Sequence, residues 1–456
     1  MGRWNARRMQ LIFRRADARP PIEHIDTETP AVILKILPDP FYHGGLGASR
    51  SLGRLGIPVY SVHEDRLAPA ASSRYLHGRM FWTPDPDDAD QLRQGLLRLA
   101  ADIGRPAVLI PVDDASAVFV AEHGDELRPW FIFPAPPHNL PRRLADKYLM
   151  YRMCRELGVP CATAALPTSL AEAQDFAARI GLPLVAKLTC QWRRGHAGAL
   201  RSTSVIHTRE ELVDYYGRCE QAEGTTLLLQ EYIPAGPGDD WFFHGYCDSR
   251  STCRPAFTGI KERSYPPHFG VTCLGRSVEN ERLCRQIEEL LTRLSFHGIL
   301  DIDLRWDARD DQYKLLDFNP RLGAQFRLFE NTAGIDLARA AYLDLTGQAI
   351  PAGVPVAGRG FVVEILDPIA ALGYRRRGEL DVRSWATSLH GVTEKAWFAA
   401  DDLAPFGLVC LRMGWHGVHR QINRISRDAV RPRYLEPRYR PGRAPRGAQP
   451  EQDERP

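Results

Sequence analysis

The 456-residue sequence has no pair of cysteines at Cys-x-x-Cys spacing. Its nine cysteines, at 154, 161, 190, 219, 247, 253, 273, 284 and 410, are scattered and odd in number. That pattern argues against a disulfide framework and for reduced thiols, so a cytoplasmic location is expected. No apolar run approaches the roughly 20 residues of a membrane-spanning helix. The arginine-rich N-terminus carries one short apolar run, Met9–Phe13, interrupted by Gln10, and lacks the apolar core of a secretory signal. An excess of charge is also missing. The 59 Lys and Arg nearly balance the 56 Asp and Glu, and a net +3 gives no argument for a nucleic-acid partner. The glycine-rich stretch His43–Gly47 lacks the full Gly-x-Gly-x-x-Gly pattern, and no clear acidic partner ends the next strand, where Glu64 and Asp65 are nearest. The case for a dinucleotide fold is therefore weak.

What is present is ordinary globular composition, 44% hydrophobic and 25% charged, in a chain long enough for two or three packed units. Residues 1–30 read as a loose basic leader. From 31 to 139 the pattern is βαβ: a strand over Ala31–Leu37, a turn at His43–Gly47, a helix over Ala48–Leu55, a strand over Ile57–His63, and an apolar segment Ala107–Val112 that ends at Asp113-Asp114. Such alternation predicts a small parallel sheet with helices on its faces. Residues 140–350 form the next unit, 351–426 a C-terminal extension after the linker PAGVPVAGRG, and 427–456 a basic proline- and arginine-rich tail expected to be disordered.

The richest segment is Ile299–Phe326. Asp301, Asp303 and Arg305 alternate with Ile302, Leu304 and Trp306, the period of a half-buried strand. Asp307–Gln312 makes a polar turn, and Tyr313–Phe318 returns with Asp317, followed by Asn319. A turn centred near Asp310 puts Asp303 opposite Asp317 and Asp301 opposite Asn319, with cross-strand Cβ atoms about 5 Å apart. Two carboxylates that close repel unless a cation lies between them. Mg²⁺ fills that role by taking one or two carboxylates and completing its shell with phosphate oxygens and water. Arg321 follows, in reach of a phosphate or oxyanion. On the same argument, Asp317→Asn is expected to leave the metal-free chain slightly more stable.

Two lysines point the same way. Asp146 is a good N-cap for a helix over Lys147–Gly158, in which Leu149, Met153 and Leu157 are the expected buried stripe. Lys147 in its first turn opposes the helix dipole unless an anion sits there. Lys187 lies inside the apolar run Pro183–Leu188, where a lysine needs an anionic partner.

The segment DFNPRLGAQF resembles the metal-binding segment of ATP-grasp ligases, usually written Glu-x-Asn-Pro-Arg. The resemblance covers about Ala31 to Ile350. GGLGASRSLGRLGIPVY and Val362–Trp397 are further similar to a subgroup of carboxylate–amine ligases that includes D-aspartate ligases. It implies an α/β and α+β architecture: a small parallel-sheet N-terminal domain, a two-subdomain ATP-grasp fold and a short C-terminal extension. By this resemblance Lys147 and Lys187 contact nucleotide phosphates, and Gln191–Gly198, with Arg193, Arg194 and His196, closes over them. Glu231 and the backbone of Tyr232 and Ile233 read adenine, and Asp240 or Asp239 holds ribose. Asp303, Asp317 and Asn319 ligate Mg²⁺, with Mn²⁺ as the alternative ion. Arg321 steadies an acyl phosphate, and Lys261 or Arg263 adds charge near phosphates or acceptor. The glycine-rich turn near His43 contributes to an acceptor pocket. Both metal acids here are Asp where many relatives have Glu, one methylene longer.

The implied activity is an ATP- and Mg²⁺-dependent carboxylate–amine ligase acting on small molecules. It forms an amide through an acyl phosphate and releases ADP and phosphate. One alternative keeps the fold and carboxylates bicarbonate, although no Met-Lys-Met biotin-carrier motif is present. Another is a non-catalytic nucleotide-binding regulator, against which the intact Asp303, Asp317, Asn319 and Arg321 set argues.

Overall fold

Short apolar runs separated by amphipathic helices build a parallel five-stranded sheet in the first part of the chain. The computed structural model describes residues 25–189, 203–222, 226–234 and 236–415. The strands are β1 (Ala31–Leu34), β2 (Val59–His63), β3 (Leu76–Phe81), β4 (Ala107–Pro111) and β5 (Phe131–Ile132), in the order β3-β2-β1-β4-β5. A four-stranded sheet follows, built from β6 (Ala164–Ala165), β7 (Leu184–Leu188), β8 (Thr203–Ile206) and β9 (Leu227–Glu231). The largest sheet holds β10 (Asp240–Cys247), β11 (Cys253–Tyr265), β12 (Val271–Ser277), β13 (Gly298–Asp307), β14 (Gln312–Asn319), β15 (Gly360–Val362) and β16 (Val392–Lys395). Its order is β14-β13-β10-β11-β12-β15-β16, antiparallel except for the parallel pair β15 and β16. The chain is thus mixed α/β and α+β. Among the described residues no helix is long and apolar enough to cross a membrane.

The large sheet separates a dry back from a charged front. Phe243, Leu300, Ile302, Leu304, Leu315 and Phe318 pack with Leu283, Ile287, Leu290 and Leu291 of the helix Glu281–Arg293. Residues of opposite parity on β13, Asp301, Asp303 and Arg305, therefore face the other way. Arg305 and Asp301 are buried all the same, so other parts of the chain, not solvent, cover this face.

Several local expectations shift. The first strand stops at Leu34 because the Ile36 and Leu37 amides turn to the Asp113 carboxylate, each at 2.8 Å. Gly44–Gly47 is not a turn but the start of the helix Gly44–Gly53. The glycines serve close packing: a Cβ on Gly44 would meet the Ala324 Cα at 2.9 Å, and one on Gly47 the Arg327 Cγ at 3.0 Å. Helix Lys147–Leu157 is capped by Asp146, which accepts from the Tyr148 and Leu149 amides, and ends at Gly158 in the left-handed region. Its buried face, however, is Lys147, Met150, Met153 and Cys154, with Leu149 and Leu157 only half-buried. The expected leader (up to residue 24), the Gln191–Gly198 loop with Arg193, Arg194 and His196, and the 427–456 tail lie outside the described residues.

Part of 351–426 completes the large sheet: β15 pairs with β12 and β16 with β15. Arg263 belongs to this junction and not to a phosphate site. It donates to the buried Asp367 carboxylate at 2.7 and 3.1 Å, and Trp385 Nε1 reaches the same carboxylate at 2.8 Å. The cause is a register shift in β11 between Lys261 and Arg263. A bulge changes which face the following side chain takes, so the two basic residues part company. Arg263→Ala strands a buried carboxylate, and a loss of about 3–5 kcal/mol in urea unfolding is expected. Unchanged stability would show that the junction does not rely on this pair.

Candidate active site

The β13–β14 hairpin sets the geometry. Asp303 faces Asp317 and Asp301 faces Asn319, as the alternation predicts. Pairing then slips between Asp303 and Leu304, whose partner is Leu315. The skipped residue, Leu316, offers its carbonyl to Lys187 Nζ at 3.1 Å. On the other flank β10 places Phe242 beside Asp303, His244 beside Asp301 and Asp240 beside Arg305.

Three lysines from three elements converge on the carboxylate pair. Lys147, from the helix, lies 2.5 Å from Asp317 Oδ1, and Lys187, from β7 of the small sheet, lies 3.4 Å from the same atom. Lys261, from β11, reaches Asp303 Oδ2 at 2.7 Å. Burial works to raise the Asp317 carboxyl, but the charges of Lys147 and Lys187 outweigh it and hold it at about 2. Asp303 goes the other way. Burial and the neighbouring Asp301 and Asp317 raise it against the pull of Lys261. Burial lowers Lys187, while for Lys261 the attraction of Asp303 overcomes burial and raises it.

The donor set suits a hard divalent cation. Asp303 and Asp317 offer carboxylate oxygens, and Asp303 Oδ1 is buried without a hydrogen-bond partner. Asn319 spends its amide N–H on the Asp301 carbonyl at 3.2 Å, so the atom left to ligate is its oxygen. Among the described residues no group of three or more His, Cys, Asp or Glu could hold a metal unaided. A partial protein shell of this kind fits Mg²⁺, which keeps water and takes phosphate oxygens.

Arg321 closes one end. Its Nη1 donates to Asp301 Oδ2 at 3.1 Å and its Nε to Asp114 Oδ1 at 3.2 Å. Asp114 follows β4 at the C-terminal edge of the parallel sheet, where open α/β sheets place their ligand sites. Burial raises the Asp114 carboxyl, and attraction to Asp114 and Asp301 overcomes burial to raise Arg321.

The expected nucleotide-reading group is more scattered. Glu231 Oε1 is held by Arg309 at 2.6 Å, and Oε2 accepts from the Thr163 amide at 3.2 Å. Tyr232 lies 5.9 Å from the Phe269 ring. The Ile233 carbonyl accepts from Arg305 at 3.0 Å, and the same guanidinium pairs with Asp240 at 2.7 Å. Asp239 accepts from the Gly236 amide at 2.6 Å. Glu231 and Asp240 are therefore engaged in ion pairs, and Lys147, Lys187, Lys261, Asp303, Asp317, Asn319 and Arg321 form the contiguous cluster.

Sequence reasoning gave no role to Asp301, His244, Asp114, Arg305 or Arg309. Signals existed for two. His244 interrupts an apolar strand run, and Asp114 stands at the end of a parallel strand.

Asp317 also reverses a stability expectation. Its loss relieves repulsion with Asp303 but deprives two buried lysines of their anion. Because its carboxyl is depressed on folding, the pairing stabilises the fold above about pH 4 and is lost as pH falls through about 2. Metal-free Asp317→Asn is expected to be less stable than the parent at pH 7 by on the order of 2 kcal/mol, with the gap closing between pH 4 and pH 2. Denaturant titrations at pH 7 and pH 3 measure it; equal or higher stability at pH 7 would contradict the pairing.

No family model matches the sequence. The chain is 24% identical over 306 residues to a D-aspartate ligase of Enterococcus faecium (strain Aus0004), covering 64% of this chain and 72% of that protein. Its fold resembles N5-carboxyaminoimidazole synthetase from Staphylococcus aureus complexed with ADP, with a TM-score of 0.54 and 12% identity over 73% of this chain and 81% of the other. It also resembles the biotin carboxylase domain of Hydrogenobacter thermophilus 2-oxoglutarate carboxylase, crystallised with MgADP and bicarbonate, at a TM-score of 0.52 and 15% identity over 71% of each chain. With a lysine-bridged acidic hairpin on the large sheet and likenesses of this kind, the chain has the fold of the ATP-grasp ligases.

Proposed function

We propose that this chain is an ATP- and Mg²⁺-dependent ligase that joins a small carboxylate to an amine through an acyl phosphate. The observation that carries the reading is the convergence of Lys147, Lys187 and Lys261 on Asp303 and Asp317. Five charged groups from four segments meet in one largely enclosed place, the two aspartates and Lys261 half-buried and Lys147 and Lys187 buried. The arrangement suits a triphosphate and a divalent cation, which would exchange partners with the ion pairs already there. The lysines would turn to phosphate oxygens, and the carboxylates, with the Asn319 oxygen, to the cation. The bound cation supplies charge neutralisation for in-line transfer.

The other residues position and shield. Lys147 and Lys187 hold negative charge on the small-sheet side, and Lys261 holds it on the large-sheet side. Arg321 would steady the oxyanion formed as the carboxylate takes up the transferred phosphoryl group, since guanidinium N–H groups suit an oxyanion. No side-chain nucleophile is required: the amine attacks the activated acyl carbon and phosphate leaves. The similarity to a D-aspartate ligase over most of that protein's length makes D-aspartate the first carboxylate to test. Bicarbonate is the second, because structural neighbours include carboxylases.

The reading is tested by incubating the protein with MgATP, D-aspartate or bicarbonate, and a mixture of amines, and following nucleotide and products by mass spectrometry. ADP, phosphate and a new amide are expected. AMP and pyrophosphate would overturn the acyl phosphate, since they mean adenylation. Lys187→Ala removes a charge-assisted phosphate contact of about 1.5–3 kcal/mol. Calorimetry should then show MgATP affinity reduced about 10- to 100-fold, with the fold retained; unchanged affinity would remove Lys187 from the site.

A further inference from the structure

A buried carboxylate next to the proposed metal pair is left without a task by the mechanism above. Asp301 sits two residues before Asp303 on the same face of β13 and is almost inaccessible. A carboxylate so placed costs free energy unless it is paired. Its Oδ2 accepts from Arg321 Nη1 at 3.1 Å. Its Oδ1 lies 3.1 Å from His244 Nε2, out of line for a hydrogen bond. His244 is wholly buried, with its ring 5.0 Å from Phe329 and 5.7 Å from Phe242. Gly323 presses on both groups: a Cβ there would come within 2.5 Å of His244 Cε1 and 2.6 Å of Asp301 Oδ2. The segment after Arg321 thus lies flat on the Asp301–His244 pair. Tyr42 OH fastens it from the N-terminal side, reaching the Leu322 carbonyl at 3.2 Å.

We propose that Asp301, backed by His244, is a positioning residue that aims the Arg321 guanidinium, with Asp114 as the second brace from the N-terminal sheet. This rests on the ligase reading for what Arg321 does, and on geometry alone for how it is held. A guanidinium bound by carboxylates on two sides has its plane fixed, which a single one-point contact does not achieve. Misplacing such a group by an ångström can cost on the order of 100-fold in rate without any loss of binding elsewhere.

The test uses the full chain with Asp301→Asn, which keeps the size and removes the charge, and Asp114→Asn as a second variant should the first fail to fold. Crystal structures of parent and variant are expected to superpose in the hairpin while the Arg321 guanidinium moves by more than about 1 Å, and calorimetry with MgADP is expected to give Kd values within about twofold. With a carboxylate that the parent turns over, kcat should fall at least about 30-fold at unchanged KM for ATP, and Asp301→Glu should recover part of it. An unmoved Arg321 would overturn the proposal. So would a tenfold or larger loss of MgADP affinity, which would place Asp301 in the nucleotide–metal site itself. Failure of the parent to bind MgADP would strike the ligase reading instead, and the Arg321 position would still decide this one.

Discussion

The structure turns on two half-buried aspartates held side by side on a hairpin. Asp303 and Asp317 are cross-strand partners, and their repulsion must be met by positive charge wherever solvent cannot screen it. The charge comes from a helix, a strand of the small sheet and a strand of the large sheet, through Lys147, Lys187 and Lys261. The hairpin is therefore satisfied only when all three segments have arrived. The same balance readies the site for its proposed ligands, because a polyanion and a divalent cation can replace the internal partners charge for charge.

The flanking parts of the chain are fastened to this centre. The parallel sheet reaches it through Asp114, which pairs with Arg321, and through the glycine-opened helix that lets residues 324–327 pack close. The segment after residue 351 reaches it through β15, β16 and the Arg263–Asp367 pair on β11, the strand that also carries Lys261. The segment Glu231–Asp240 is tied by Arg309, which joins Glu231 to Asp307, and by Arg305, which joins Asp240 to the Ile233 carbonyl. Long arginine side chains thus do much of the joining between segments distant in sequence.

Local rules carried far into this protein. Alternation along Ile299–Trp306 determined which side chains leave the apolar back face, but the register that starts at Asp307–Gln312 holds only to Leu304–Leu315, and the slip past Leu316 is what brings Asp303 opposite Asp317. Asp146 and Gly158 determined the limits of the Lys147 helix, since capping depends on neighbours a few residues away. A lysine within an apolar strand already implied an anion near Lys187. Tertiary structure alone decided where the long charged side chains end. Lys261 and Arg263 are two residues apart, yet a shift in the β11–β12 register sends one to Asp303 and the other to Asp367. Glu231 and Asp240 likewise meet arginines from the hairpin. Asp301 gained its place only when Arg321, Gly323 and His244 were brought around it. Such pairings follow from charge and reach across the folded molecule, and no local period or spacing in the sequence records them.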